Sequence, residues 1–331
     1  MGIKSLTQLI KKTSPDGIQH VGLYTFKDKR VAIDTSIFLY KSLMNVRHRG
    51  DYLRNKDGKV VSHIQGLYTK TIQYLSLGIT PIYIFDGKPP REKSHCIQAR
   101  NKKAQECKEK MELTESTAEK KSLEKGTIRM TKEYIDDLKQ LFTLMGVSYI
   151  HPDGEAEAYA AELCRIGYVD AVITEDMDTL AYGCPTLIRN CIDKKLKRPD
   201  IITVFSMDKI LSDFKMDMNQ FVDMCILCGC DYCPTIPKIG SVRAYQQIKE
   251  HESIEKFIEA SKCEITEEFK GKYVPARNIF NIFRDKINVN TMQIYSSNYD
   301  SAALYAYLVH GCSMSEKRVQ NALKKIAQTN K

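Results

Sequence analysis

Three apolar runs in this chain each end on an acid. "RVAID" closes on Asp34, "TPIYIFD" on Asp86 and "DAVITED" on Asp176. Runs that are continuously apolar, rather than alternating, suit strands buried on both faces, the habit of parallel sheets. "TLIRNC" (186–191) and "IITVF" (201–205) are further β-type runs. Helical periodicity fills the intervals, as in "SHIQGLYTKTIQYLSLG" (62–78) and "EAEAYAAELCRIG" (155–167). Strands alternating with helices predict an α/β fold with a mostly parallel central sheet and helices on both faces. Right-handed crossovers bring the carboxyl ends of such strands to one edge, where the functional crevice of an open sheet lies.

Asp34, Asp86, Asp176 and Asp178 are therefore expected to converge. Glu155 and Glu157 stand at a helix start, where the dipole favours anions. Residues two apart on a helix do not share a face. Both can reach one crevice only if the helix begins between them, which Gly154 allows. Two like charges about 4 Å apart repel by about 4 kcal/mol at an effective dielectric of about 20. Six such groups share a crevice only if cations neutralise them or some are protonated. None of the seven histidines pairs with these motifs at metal-ligand spacing. All-oxygen ligation selects a hard cation, Mg²⁺ or Mn²⁺. The plain alternative is that each acid is a helix cap or a surface charge.

The chain of 331 residues carries a net charge of +9. A basic protein with an acidic, metal-binding crevice points to phosphodiester cleavage, in which paired metals activate water and clamp the attacking and leaving oxygens. Residues 91–132 hold twelve Lys and Arg against seven Asp and Glu and lack a broad apolar stripe. They read as a solvent-bridging helix pair or a disordered insertion, with helix favoured by composition, placed directly after Asp86 to guide a polyanion in. From about residue 216 the strand pattern gives way to helix. The expected domains are a nuclease core over 1–215, with the insertion at about 88–132, and a helical region over 216–331. Eleven scattered cysteines read as reduced thiols of the nucleus or cytoplasm. There is no signal-peptide pattern and no apolar run long enough to span a bilayer. "MGIKSL" has Leu6 where a myristoylation motif needs a hydroxyl residue. Cys225, Cys228, Cys230 and Cys233 imitate a thiolate cluster, but "FVDMCILC" reads as helix with the cysteines as small packing groups.

Seven ordered stretches resemble one family. "MGIKSL", "KRVAIDTSIFLY", "YIFDGKPP", "GEAEAYAAEL", "ITEDMDTLAYG", "FVDMCILCGCDYC" and "IGSVRA" are similar to the flap endonucleases, structure-specific 5′ nucleases of the XPG/Rad2 superfamily. The resemblance implies a metal-dependent enzyme that cuts DNA near the junction of a 5′ flap with duplex, in replication, repair or recombination. It implies a two-metal site of Asp34, Asp86, Glu155, Glu157, Asp176, Asp178 and Asp231, taking Mg²⁺ with Mn²⁺ as a substitute. It casts residues 88–132 as a helical arch whose Lys93 and Arg100 contact the scissile phosphate. Tyr40 would stack on a base and Gly2 would pack near the site. Arg47, Lys70, Arg129 and Lys132 are further DNA contacts by the same resemblance. Residues 231–251 would form a helix–two-turns–helix element holding duplex through Lys238, Gly240 and Arg243. A K⁺ ion would sit on the carbonyls of Thr235, Ile236 and Ile239.

The chain also departs from the family. Lys238 stands where Gly is usual, and Val242 where Lys is frequent. "RNKDGKVVSH" places Lys56, Asp57 and Lys59 where the family is mostly Glu, and Val61 where a threonine lines the pocket for a 3′ flap. That implies weaker dependence on a 3′ flap, although "NKDG" is also good turn chemistry. "KKIAQTNK" lacks the sliding-clamp motif and the basic tail, so clamp binding and nuclear import through a tail are not expected. The expected protein is a monomer acting on flapped or branched DNA. A 5′→3′ exonuclease or a gap or junction endonuclease of the same superfamily is a rival reading. A catalytically dead junction binder is another, which the intact carboxylates argue against.

Overall fold

Seven strands make one sheet: β1 (Ile18–Gly22), β2 (Arg30–Asp34), β3 (Thr80–Ile84), β4 (Tyr149–Ile150), β5 (Ala171–Ile173), β6 (Thr186–Asn190) and β7 (Ile201–Ser206). The computed structural model describes residues 2–196, 198, 200–261 and 264–329. The strand order is β1-β7-β6-β5-β2-β3-β4. β2 pairs parallel with β3 and β5, β3 with β4, and β5 with β6. β7 runs antiparallel to β6 and β1, so the sheet is mixed at one edge. β1 was not among the expected strands. Its "IQHVG" carries Gln19 and His20 and is only partly buried, as an edge position permits.

Side chains alternate across β2 and β3. Val31, Ile33, Tyr83 and Phe85 pack on one face against α3 (Ser62–Ser76) and α6 (Lys132–Met145), through Leu67, Leu138 and Phe142. Ala32, Ile82 and Ile84 pack on the other against α7 (Ala156–Arg165), whose Ala160 and Ala161 allow close approach. Helices thus cover both faces, as the continuous apolar runs require. β2 lies between β3 and β5: the chain runs outward from β2 through β3 to β4, then crosses back to β5 on the other side of β2. That is a topological switch point, and a crevice opens there at the strand carboxyl ends. α2 (Thr35–Asn45) starts directly from β2.

The basic insertion is helical. α4 (Ser94–Leu113) and α5 (Thr117–Thr127) form a hairpin between β3 and α6, and the Ser116 side chain caps α5. Cys107 packs against Gly126, where a Cβ would fall 2.8 Å from its sulfur.

Beyond α8 (Asp178–Ala181), α9 (Met207–Phe214) and α10 (Met218–Cys228) join α1 (Leu6–Thr13) in one apolar cluster with Leu187 and Phe205 of the sheet. A capping box between Asp217 and Gln220 starts α10. Phe214 meets Phe221 and Tyr245 edge-on. The expected boundary near residue 215 is therefore a change from strands to helices, with apolar packing continuous across it. α11 (Ser241–His251), α12 (Ile254–Ala260) and α13 (Glu267–Phe280) extend this cluster. α14 (Ser301–Ala306) and α15 (Glu316–Thr329) return to the α3–α6 side through Leu304 and Val319.

Candidate active site

Asp34 ends β2 and caps α2. Its Oδ1 accepts from the backbone N–H of Ser36 at 3.0 Å and Ile37 at 3.3 Å, and its Oδ2 accepts from the Thr174 hydroxyl at 2.9 Å. The cap and site readings of this acid are compatible, because capping fixes the carboxylate at the crevice. Asp86 accepts from the Ser36 hydroxyl and, at 3.0 Å, from the N–H of Ala156. α7 begins at Ala156 with Glu155 as its N-cap residue, so the helix starts between Glu155 and Glu157. Asp176 accepts from the N–H of Asp178 at 3.1 Å. Asp178 opens α8, is buried, and its Oδ1 has no partner.

The N-terminus closes one side. Gly2 has φ +81°, and a Cβ there would lie 2.0 Å from Asp176 Oδ1 and 2.3 Å from Asp178 Oδ1. The Lys4 N–H donates to the Gly229 carbonyl at 3.1 Å, which holds this segment against the end of α10. Only glycine combines that left-handed backbone with so close an approach.

Lysine and arginine reach in from the hairpin. Lys93 pairs with Glu155 and lies 3.9 Å from Asp231, and Arg100 is 2.6 Å from Asp231. Cys96 Sγ lies 3.3 Å from the other Asp231 oxygen. Behind Glu155 the Tyr232 hydroxyl donates to Oε2, and the Tyr182 and Tyr232 hydroxyls are 2.5 Å apart. Ser36, Thr174, Tyr182 and Tyr232 were missed by sequence reasoning. Ser36 and Tyr232 flank predicted ligands and could have been suspected on that ground. Tyr182 carries no local signal.

Burial, then the Asp86 charge, pushes Asp34 up to about 7 against the hydrogen bond from Thr174. Asp178 is driven well above the carboxylate range by burial and by Asp176. Glu157 rises likewise through burial and the charge of Asp34. Burial opposes the Lys93 charge, but Glu155 and Glu157 outweigh it and hold Lys93 above the lysine range. Among the described residues no three acidic, histidine or cysteine side chains are grouped, as they stand, so as to hold a metal ion. The donor set nonetheless suits a hard cation: carboxylates whose pKa values are raised first by burial and then by one another's charge, with the buried Asp178 Oδ1 unpartnered.

The remaining expected residues lie as follows. The Tyr40 hydroxyl donates to the Lys125 carbonyl at 3.1 Å, tying α2 to the hairpin. Arg47 is engaged inside the protein, 2.7 Å from Glu124 and 4.2 Å over the Tyr52 ring. Lys70 donates to Gln73 at 2.9 Å and sits over Tyr74. Arg129 and Lys132 are exposed at the end of the hairpin. Lys238 and Arg243 are exposed, and Arg243 donates to the Lys238 carbonyl at 2.9 Å. Gly240 precedes α11 with open space around its Cα. Thr235, Ile236 and Ile239 share the preceding loop, where the Ile236 carbonyl accepts from the Ile239 N–H at 3.1 Å. Cys225 and Cys228 are buried on α10, and burial pushes the Cys228, Cys230 and Cys233 thiols up to about 12. Lys59 pairs with Asp137 at 2.7 Å and Glu133 at 3.2 Å, so its charge is offset within the protein. Asn55 Oδ1 accepts from the N–H groups of Asp57 and Lys59, making 55–59 a side-chain-braced turn.

The profile of the XPG N-terminal domain matches residues 1–107, and that of the XPG I-region matches residues 146–231. Flap endonuclease 1 of Komagataella phaffii is 37% identical over 341 residues, covering 100% of this chain and 90% of the relative. The solved flap endonuclease-1 of Methanococcus jannaschii superposes with a TM-score of 0.70 at 27% identity, covering 94% of this chain and 96% of that one. The catalytic core of Rad2 in complex with DNA substrate gives a TM-score of 0.74 at 21% identity, over 98% of this chain and 100% of that one, a likeness of fold. The matched segments contain every carboxylate of the crevice, and the chain belongs to the flap endonuclease family.

Proposed function

We propose that this chain is a structure-specific flap endonuclease that hydrolyses a DNA phosphodiester bond beside the junction of a 5′ single strand with duplex. The observation that carries the reading is the convergence of Asp34, Asp86, Glu155, Asp176, Asp178 and Asp231 beneath a basic helical hairpin whose Lys93 and Arg100 reach the same carboxylates. These acids, with Glu157, would hold two Mg²⁺ ions, or Mn²⁺ in their place. Bound there, such ions lower the pKa of the attacking water and stabilise the leaving oxygen.

The chain's own residues supply the rest. Asp34 and Asp86 are fixed by backbone and hydroxyl donors before substrate arrives. Tyr182 and Tyr232 orient Glu155. Lys93 and Arg100 exchange their carboxylate partners for the scissile phosphate and offset the charge that develops on it. Lys238 and Arg243 hold duplex backbone, with K⁺ on the carbonyls of Thr235, Ile236 and Ile239 as a further brace. The partner is flapped or branched DNA, bound by a monomer, in replication, repair or recombination. No helix among the described residues is long and apolar enough to cross a membrane, and the ten described cysteines are free. We place the protein in a reducing compartment, nucleus or cytoplasm, on its proposed action on DNA.

The test incubates the protein with Mg²⁺ and end-labelled flap, nicked, blunt and four-way substrates and maps the product ends. One cut beside the flap junction is expected. Stepwise mononucleotide release would favour the exonuclease reading, and absence of cleavage with tight junction binding would overturn the enzyme.

A further inference from the structure

A cavity of about 730 Å³ opens on the segment that leads from Asp86 to the helical hairpin, and Lys88, Lys139, His151, Asp153 and Tyr295 line it with Asp86. Its wall is rigid. The Gly87 N–H donates to the Gly154 carbonyl at 2.8 Å, and a Cβ on Gly87 would fall 2.0 Å from the Pro152 carbonyl oxygen. Tyr295 is equally fixed. Its backbone exchanges two hydrogen bonds of 2.9 Å with Tyr149 on the edge strand β4. Its ring stacks on the Tyr149 ring at 5.0 Å and 11°. Tyr295 nevertheless remains 40% exposed, so one ring face is covered and the other is open.

Polar groups on the same wall are mostly donors. Lys139 Nζ lies 2.9 Å from His151 Nδ1. An ammonium only donates, so Nδ1 accepts and the imidazole proton sits on Nε2, free to donate. Lys139 is also held 5.5 Å over the Phe85 ring, and Lys88 is exposed at the rim. Two acids share this wall with two lysines and an imidazole N–H: Asp86, whose oxygens are turned to donors from Ser36 and Ala156, and Asp153. An open aromatic face beside phosphate donors is the pairing that holds an unpaired nucleotide, since a base must be free of its partner to stack.

We propose that this cavity is a subsite for one nucleotide of the 5′ single strand, its base on Tyr295 and its phosphate on Lys139, His151 and Lys88. The proposal rests on the flap-cleaving reading above and adds a foothold for the strand that adjoins the carboxylate crevice at Asp86.

The test is equilibrium binding by fluorescence anisotropy, with Ca²⁺ in place of Mg²⁺ so that nothing is cut. Two labelled duplexes are compared, identical except that one carries a long 5′ flap and the other is nicked without a flap. Tyr295→Leu should weaken binding to the flapped duplex roughly ten-fold, the scale of one lost base stack, and leave the nicked duplex unchanged. Tyr295→Phe should keep wild-type affinity. Lys139→Gln, a partly exposed position that does not depend on the Tyr149 stack, should weaken the flapped duplex alone and make its salt dependence shallower. Unchanged flap affinity in Tyr295→Leu and Lys139→Gln, or equal losses on both duplexes, would overturn the subsite while leaving the flap reading standing. A wild-type protein with no preference for the flapped duplex would overturn the flap reading, and this one with it.

Discussion

The guanidinium of Arg100 lies 2.6 Å from the carboxylate of Asp231, a contact that joins the helical hairpin to the C-terminal helices across the mouth of the crevice. Arg100 is half exposed, so this pair contributes little to stability. Its meaning is positional: a guanidinium already at the crevice needs only a change of partner to meet a phosphate. Arg100→Ala and Lys93→Ala should each slow single-turnover cleavage at saturating enzyme by about 10²–10³-fold, the usual scale for one lost donor to a transition state. An unchanged rate with weaker affinity would make these residues binders only.

Asp176→Ala should abolish cleavage in Mg²⁺ and leave flap-DNA binding largely intact, because the residues proposed to hold duplex, Lys238 and Arg243, lie outside the crevice. Single-turnover assays and binding isotherms on the same preparation check both halves. Cleavage near the wild-type rate would remove Asp176 from the site.

Tyr232 is buried and donates to Glu155, with Tyr182 bonded behind it. Tyr232→Phe keeps the ring and deletes one charge-assisted donor. A stability loss of about 2 kcal/mol is expected from urea unfolding. Calorimetric titration with Mg²⁺ should give weaker binding, since Glu155 is then held only by Lys93 and by the longer 3.3 Å hydrogen bond from Tyr182. Equal Mg²⁺ affinity in the two proteins would reduce Tyr232 to a packing role.

Asp137 is buried between α3 and α6, 2.7 Å from Lys59 and 3.0 Å from His63. Burial raises its pKa, but the hydrogen bonds from His63 and Lys59 prevail and hold it below the usual carboxylate range. A depressed folded pKa gives stability that is complete above the unfolded value of about 3.9 and is lost as pH falls through the folded one. Asp137→Asn should therefore cost about 2 kcal/mol at neutral pH, as for a hydrogen bond to a charged group. The difference in Tm from wild type should close as pH falls below about 4. A difference constant down to the acid limit would show that Asp137 acts through shape alone.

The strands at the switch point were legible because burial on both faces leaves continuous apolar runs. β1 was not, because an edge strand tolerates Gln19 and His20. The start of α7 between Glu155 and Glu157 followed from the need to aim two acids at one place. The tyrosine pair behind Glu155 did not, because Tyr182 and Tyr232 meet only in the folded chain. Lys59 shows the opposite limit. In the sequence it reads as a charge change that weakens dependence on a 3′ flap, but in the fold α6 places Asp137 and Glu133 against it.

Lys238 stands where the resemblance leads one to expect glycine, and the backbone at that position is costly for a side chain. Its φ is +64°, in the left-handed region where glycine is at ease and a side chain is not. Arg243 donates to the Lys238 carbonyl and helps hold that turn. Retaining lysine in such a place is reasonable if its ammonium is useful, and it is exposed beside the N-terminus of α11 where duplex backbone would pass. The two effects can be separated with Lys238→Gly. Relief of backbone strain should raise stability by about 1 kcal/mol. Loss of one phosphate contact should weaken binding to flapped DNA uniformly across sequences and reduce the slope of log K against log salt by about 1. Chemical unfolding and salt-dependent binding isotherms give the two readouts independently. A stabilised variant with an unchanged salt slope would mean that Lys238 is a strained residue with no part in holding DNA.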